Sequence, residues 1–473
     1  MAKGDSCPGG LSSAANSRIL GAFSRAEKIL LLLFVLTLPF IQPQIRYDGI
    51  GYYAWARSLL IDHNLQFQGD WKVPGTLPSI VRADQSGRTL SISYRTRTGH
   101  LVNHFSVGPA ILWAPFLIAT HLSVLALDHA GYHIPPDGFS RPYFVTIALA
   151  TAFYAFLGLW ISFRLARSYL DERWAFLATL GIWFGSSLPV YMYVEPAWSH
   201  AMSEFVVALF IWYWLRTGED RDWIQWMAFG AIAGLMMDVY YLNAILLLLP
   251  ALELARRFFH HRESVRGALV KQTLGGAFVF FVGLFVSFLP NLITKKIIFG
   301  SYMDWGYAEH WHWNSPAFLK VCFSPQHGLF RLTPILILAV AGLFLFRKYD
   351  RILGFCLPTV FAAYLYAVGS YEGWGGGISF GNRFFVSLTP LFILGLAALC
   401  SEFARLWKIE VRATMRAAAI LTLLISWNLG LVFQWGTGLL SDSPVSWDEI
   451  VYNEFRVVPG EIVRSLQSHF TQL

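Results

Sequence analysis

The chain is a succession of apolar runs separated by short clusters of arginine and lysine. Crossing about 30 Å of hydrocarbon at 1.5 Å per residue takes roughly 20 helical residues. Runs near that length fall at 28–44, 143–165, 174–194, 199–215, 225–239, 241–256, 268–291, 332–346, 352–369, 384–400 and 416–435. A further run, 105–127, is long enough but carries Pro109 and Pro115, which predict a broken segment. With 55% hydrophobic and 14% charged residues, the composition excludes an ordinary soluble domain. The 19 tryptophans suit two lipid–water interfaces. The expected fold is an all-α polytopic membrane protein.

The positive-inside rule sets the topology. With the N-terminus inside, the clusters Arg164/Arg167/Arg173, Arg216/Arg221, Arg256/Arg257/Arg262/Arg266/Lys271, Arg347/Lys348/Arg351 and Arg405/Lys408/Arg412/Arg416 all lie inside if 105–127 does not cross. If it crosses, all of them face out. We therefore read 105–127 as lying on or dipping into the outer interface. The stretch 225–256 must break near Asp238–Asn243 to keep Arg256 and Arg257 inside. About eleven spans result. Residues 1–27 form a cytoplasmic N-terminus, 28–435 a membrane domain, and 436–473 a short non-cytoplasmic tail, with external segments at 45–142, 292–331 and 370–383. The net charge of +7 is a topology signal rather than a nucleic-acid footprint, because it sits in these clusters. Residues 28–43 lack a following small-residue cleavage site, so the first helix is retained. Cys7, Cys322, Cys356 and Cys400 have neither metal-ligand spacing nor a disulfide framework.

Chemistry-bearing residues gather on the external side. Asp48 leaves the first span, and Gly49 and Gly51 are expected to turn the chain. Tyr52, Trp55, Leu59 and Leu60 then recur at helical spacing, with Arg57 and Asp62 on other faces, as in an amphipathic helix lying at the interface. Asp48 is a candidate general base; a helix N-cap is the structural alternative. Glu195 ends the third span beside Pro196, where an exposed cap is the alternative role. His200 and Glu204, four apart, share a helix face and would hydrogen-bond each other. Asp48, Glu195 and His200 are also the set from which a divalent cation site is conceivable. The glycine-rich segment 371–383 ends in Arg383, whose guanidinium suits a phosphate, as does that of Arg141; a tight turn with an interfacial arginine at lipid headgroups, and snorkelling of Arg141 to the interface, are the structural alternatives. Loop 292–331 interleaves Lys295, Lys296, Asp304, Glu309, His310, His312 and His327 with Trp305, Trp311 and Trp313, as a sugar- or lipid-binding lid or an interfacial anchor.

An acidic residue just after the first span, followed by an interfacial helix, resembles the GT-C type glycosyltransferases, which include the protein mannosyltransferases and aminoarabinose transferases. Asp48-Gly-Ile-Gly-Tyr-Tyr-Ala-x-x-Arg57-Ser-Leu looks like an uncharacterised bacterial branch. Asn103-His-Phe-Ser-Val-Gly-Pro109, Glu195-Pro-Ala-Trp-Ser-His200, Ser324-Pro-x-x-Gly-Leu-Phe330 and Trp374-Gly-Gly-Gly-x-Ser-Phe-Gly-x-Arg383 are further echoes. The resemblance implies a transferase in the bacterial inner membrane with a periplasmic site. It would move a sugar from a polyprenyl-phosphate donor to an envelope acceptor, with inversion. It implies Asp48 and Glu195 as catalytic, Arg383 and Arg141 as donor-phosphate ligands, and Tyr52, Arg57, His104, His200, Glu372 and Trp374 as substrate-binding. Some enzymes of this kind use a divalent cation. The competing readings are a transporter or lipid flippase, a noncatalytic scaffold subunit, and a lipid-linked oligosaccharide ligase.

Overall fold

A computed structural model describes residues 23–471 except 68, 71–81, 84–88, 91–94, 219–220, 261–262, 305, 307–309, 407–409 and 441–445. Cys7, Arg18, Arg262, Trp305, Glu309 and Lys408 lie outside the described residues, as do the side chains of Arg256, Arg257, Arg266 and Lys271. The described chain is overwhelmingly helical. Its strands are β1 (Arg82–Ala83) and β2 (Thr89–Leu90), paired antiparallel.

In chain order the helices begin with α1 (Arg25–Thr37), α2 (Asp48–Leu60), α3 (Gly108–Leu127) and α4 (Arg141–Tyr169). Next come α5 (Glu172–Gly185), α6 (Ser199–Thr217), α7 (Trp223–Val239), α8 (Leu248–His260) and α9 (Glu263–Phe299). The rest are α10 (Phe318–Phe323), α11 (Leu329–Leu332), α12 (Ile335–Leu345), α13 (Leu353–Ser370), α14 (Thr389–Arg405), α15 (Glu410–Gly436), α16 (Trp447–Tyr452) and α17 (Val458–Thr471). Short 3₁₀ and π turns flank several of them. Among the described residues, six helices are long and apolar enough to cross a membrane: Gly108–Tyr132, Arg141–Tyr169, Leu274–Phe299, Leu353–Ser370, Arg383–Arg405 and Glu410–Gly436. Other expected spans fold as shorter helices, such as the 14 residues of α5 and the 11 of α12.

The chain forms two compact units, Met1–Ser168 with Tyr191–Ala308, and Tyr169–Val190 with Glu309–Leu473. In the first, α1 opens with a capping box between Ser24 and Glu27. Glu27 is buried and accepts from Trp160 at 2.8 Å, Arg164 at 2.5 Å and Arg167 at 3.3 Å, so that residues expected on the cytoplasmic side meet at one end of α4. Helix α3 packs against the other half of α4. Tyr154 donates to the Leu112 carbonyl at 3.0 Å, Trp113 Nε1 to Thr151 at 2.9 Å, and His121 pairs with Tyr143 at 2.8 Å. The expected break in this segment is absent. Pro109 occupies the first turn, where its missing N–H costs nothing, and Pro115 is accommodated within a continuous helix.

The expected break in 225–256 is present. Helix α7 stops at Val239, Tyr240 is extended, and a 3₁₀ turn (Tyr241–Leu247) leads into α8. The Met236 carbonyl near the end of the helix accepts the Tyr240 N–H at 3.3 Å and Asn243 Nδ2 at 3.0 Å. Helix α7 lies against α9 through glycines: a methyl at Gly230 would strike the Phe280 carbonyl, so the backbones are in contact, as in membrane helix pairs. The opposite face of α9 exposes Leu274, Phe278, Phe281 and Phe285, the pattern of a lipid-facing stripe rather than a solvated one.

In the second unit α14 is buried almost throughout, and packs against α12 and α5. Asn428 of α15 donates to the Phe184 and Ser186 carbonyls at 2.9 and 2.7 Å, closing the end of α5.

Candidate functional site

The site residues of the first unit assemble around the start of α2. The turn is made by Tyr47, a non-glycine residue at φ 52, ψ −130, followed by Asp48 in the first helical position. Such strain in a non-glycine residue persists only where its surroundings enforce it. Gly49 and Gly51 lie inside the helix rather than at the turn. Their missing side chains serve close packing: a methyl at Gly49 would press on Ala197, and one at Gly51 would overlap the Phe105 ring.

Gly49 thereby brings α2 against the Glu195–Trp198 turn. Glu195 is 4% exposed, not the exposed cap that its place beside Pro196 allowed. Arg46 Nη2 donates to Glu195 Oε1 at 2.9 Å, while Oε2 is buried without a hydrogen bond. Burial pushes the Glu195 carboxyl up to about 7; Arg46 opposes this and the neighbouring Asp48 charge adds to it. Two carboxylates and a guanidinium therefore share one electrostatic environment, and one carboxyl is poised near neutrality. Arg46 stands two residues before Asp48, but no periodicity or motif in the sequence marks it as a partner of Glu195.

Behind Asp48, the Tyr52 hydroxyl accepts from Ser199 at 3.0 Å, and its ring lies 4.7 Å from Phe105. His200 sits among the rings of Tyr191 at 5.0 Å, Tyr240 at 5.2 Å and Trp198 at 6.0 Å. The expected His200–Glu204 hydrogen bond is absent: both Glu204 oxygens are buried without a hydrogen bond, and the carboxylate lies against Gly158 of α4. The His104 ring lies 4.2 Å from that of Phe105.

Arg57, expected to bind substrate, lies at the end of α2. It is buried, and its guanidinium is taken up by Asp70 at 2.6 and 2.9 Å and by Asp62 at 3.0 and 2.5 Å. It braces the end of α2, which is buried from Gly49 to Ser58 and so lacks the exposed polar face of a surface-lying helix. Arg141 opens α4 as an exposed residue.

Arg383, Glu372 and Trp374 belong to the second unit. Gly376, at φ 74, lies against the Arg383 side chain, and Asn382 donates to the Trp374 carbonyl at 3.2 Å, so the glycine-rich turn shapes the surroundings of Arg383. Glu372 accepts from the His310 amide at 3.0 Å and joins 310–317 to the end of α13. Trp311 and Trp313 stack at 4.9 Å, and each is about half exposed. In the first unit Lys295, expected in a loop, lies on α9 and is buried.

Among the described residues, no three His, Cys, Asp or Glu side chains converge as metal ligands, so Asp48, Glu195 and His200 do not form such a set. No family model matches the chain, and a search of curated proteins returns no match.

Proposed function

We propose that this membrane protein is a glycosyltransferase that moves a sugar from a polyprenyl-phosphate donor to an envelope acceptor on the non-cytoplasmic face. The observation that carries the reading is the cluster Arg46–Asp48–Glu195, where a buried carboxyl near neutrality adjoins a second acid and a cation. The strained Tyr47 beside it supports a functional role. Asp48 and Glu195 also lie in two of the segments that carry the resemblance to GT-C enzymes. The expected placement of this cluster on the non-cytoplasmic face favours a lipid-linked donor, since nucleotide sugars are generally confined to the cytoplasm.

In this reaction an acceptor hydroxyl attacks the anomeric carbon. Asp48 takes the hydroxyl proton, the new glycosidic bond forms, and the anomeric C–O bond to phosphate breaks with its electron pair leaving on polyprenyl phosphate. A single displacement inverts the anomeric centre. Arg46 is the cation beside the two acids, and Arg141 and Arg383 remain donor-phosphate candidates. Purified Asp48→Asn should lose roughly 10²–10⁴-fold in transfer from a labelled lipid-linked sugar. Near-normal turnover would refute the base assignment.

A transporter is the second reading, favoured by the broken α7 with Asp238 and Asn243 buried at the break. Solute counterflow in proteoliposomes, without product formation, would select it.

A further inference from the structure

Lys295 is fully buried near the end of α9. Its ammonium donates to the His104 carbonyl at 2.8 Å and the Phe105 carbonyl at 3.2 Å. The Phe105 carbonyl also accepts Trp55 Nε1 of α2 at 3.1 Å. Two residues earlier, Asn103 Nδ2 donates to the Gly51 carbonyl at 2.9 Å, and the Phe105 ring fills the space over Gly51. Segment 103–105 is thus the backing of the helix that begins with Asp48. The residues that follow are tied to the end of α7: Ser106 donates to the Val239 carbonyl at 3.0 Å, and Gly108 presses on the Asp238 backbone.

A buried ammonium needs a counter-charge. Asp238 is fully buried and neither of its carboxylate oxygens has a hydrogen bond; Lys295 acts on it through space rather than through an ion-pair contact. At the break after α7, Asn243 bonds both the Met236 carbonyl and Ser203 of α6, at 3.0 and 2.8 Å, and so ties down the end of the helix that carries Asp238. We propose that Lys295 and Asp238 are a positioning pair that holds segment 103–105, and through it α2 and Asp48, in register for the reaction. This rests on the reading of Asp48 as the base. Lys295 touches no reacting atom; it acts through two carbonyls that an apolar side chain cannot satisfy.

The test uses the full chain in detergent, with Lys295→Met, Lys295→Arg and the charge-neutral double variant Lys295→Met/Asp238→Asn. Lys295→Met should lower kcat for transfer at least tenfold with donor KM changed less than twofold, and Lys295→Arg should recover part of kcat. The double variant keeps the comparison available if the single variant misfolds; it should restore folding yet keep the kcat defect. Hydrogen–deuterium exchange without substrate should quicken in peptides covering 48–60 and 101–108 in both methionine variants. Wild-type kcat in the double variant, or unchanged exchange over 48–60, would overturn the proposal. Absence of transfer by the wild type would sink the glycosyltransferase reading, while the exchange measurement would still decide whether the pair positions α2.

Discussion

Replacing Glu195 by glutamine keeps the shape of the side chain and its acceptor for Arg46 but removes the charge. Burial raises the Glu195 carboxyl from 4.5 to about 7 in the folded protein. Because the folded value is the higher one, the neutral carboxyl contributes stability that is fully present below pH 4.5 and is lost as pH rises through about 7. At about 1.36 kcal/mol per pK unit, the loss amounts to about 3 kcal/mol by pH ~8. Thermal unfolding of the wild type and Glu195→Gln in detergent, scanned across this range, isolates the term. The variant should match the wild type near pH ~4.5 and become progressively more stable relative to it up to pH ~8. A flat difference, or a variant less stable at high pH, would show that Glu195 is an ordinary ionised partner of Arg46 and would remove the electrostatic basis of the site.

Arg46→Met removes the cation that opposes burial, so the same titration should move to higher pH, read as an alkaline shift of the stability difference against Glu195→Gln. Arg57→Met strands the buried Asp70 carboxylate and should cost about 3–5 kcal/mol in unfolding free energy, partly recovered by adding Asp70→Asn. Arg383→Ala should weaken donor use while thermal stability is kept; an unchanged donor KM would remove its phosphate role. Gly230→Val, which drives a branched side chain into the Phe280 carbonyl, should destabilise the α7–α9 pair by about 1–3 kcal/mol, measured by thermal unfolding.

Periodicity and charge made the helices legible: each expected span overlaps helical residues, and the break at Tyr240 falls where the charge argument required it. Among the described residues only five of the eleven lie in helices long and apolar enough to cross, and the sixth such helix, Gly108–Tyr132, is the segment expected not to cross. Length alone did not reveal that α5 and α12 are short. Pro109 and Pro115 misled because a proline in the first turn, or one in a helix able to tolerate a lost bond, leaves the helix intact. At the site, the spacing of Asp48 and Glu195 from their helices pointed to both acids. It hid the partners, because Arg46–Glu195 and Arg57–Asp70 are long-range or loop contacts with no periodic signature. Gly49 and Gly51 were legible as important but not as packing surfaces, which only the positions of Ala197 and Phe105 explain. Lys295 was read as a loop residue because the apolar run ends at 291, whereas α9 continues to Phe299.

Sidedness is the premise on which the donor depends. In a variant lacking the native cysteines, a thiol at Gln66→Cys, exposed shortly after α2, and another at Lys348→Cys, in an expected cytoplasmic cluster, can be probed with a membrane-impermeant maleimide in right-side-out and inside-out vesicles. Position 66 should label only in right-side-out vesicles and position 348 only in inside-out ones. Labelling of position 66 from the cytoplasmic surface would contradict it, since the Arg46–Asp48–Glu195 cluster would then face away from any polyprenyl-linked sugar on the outer leaflet.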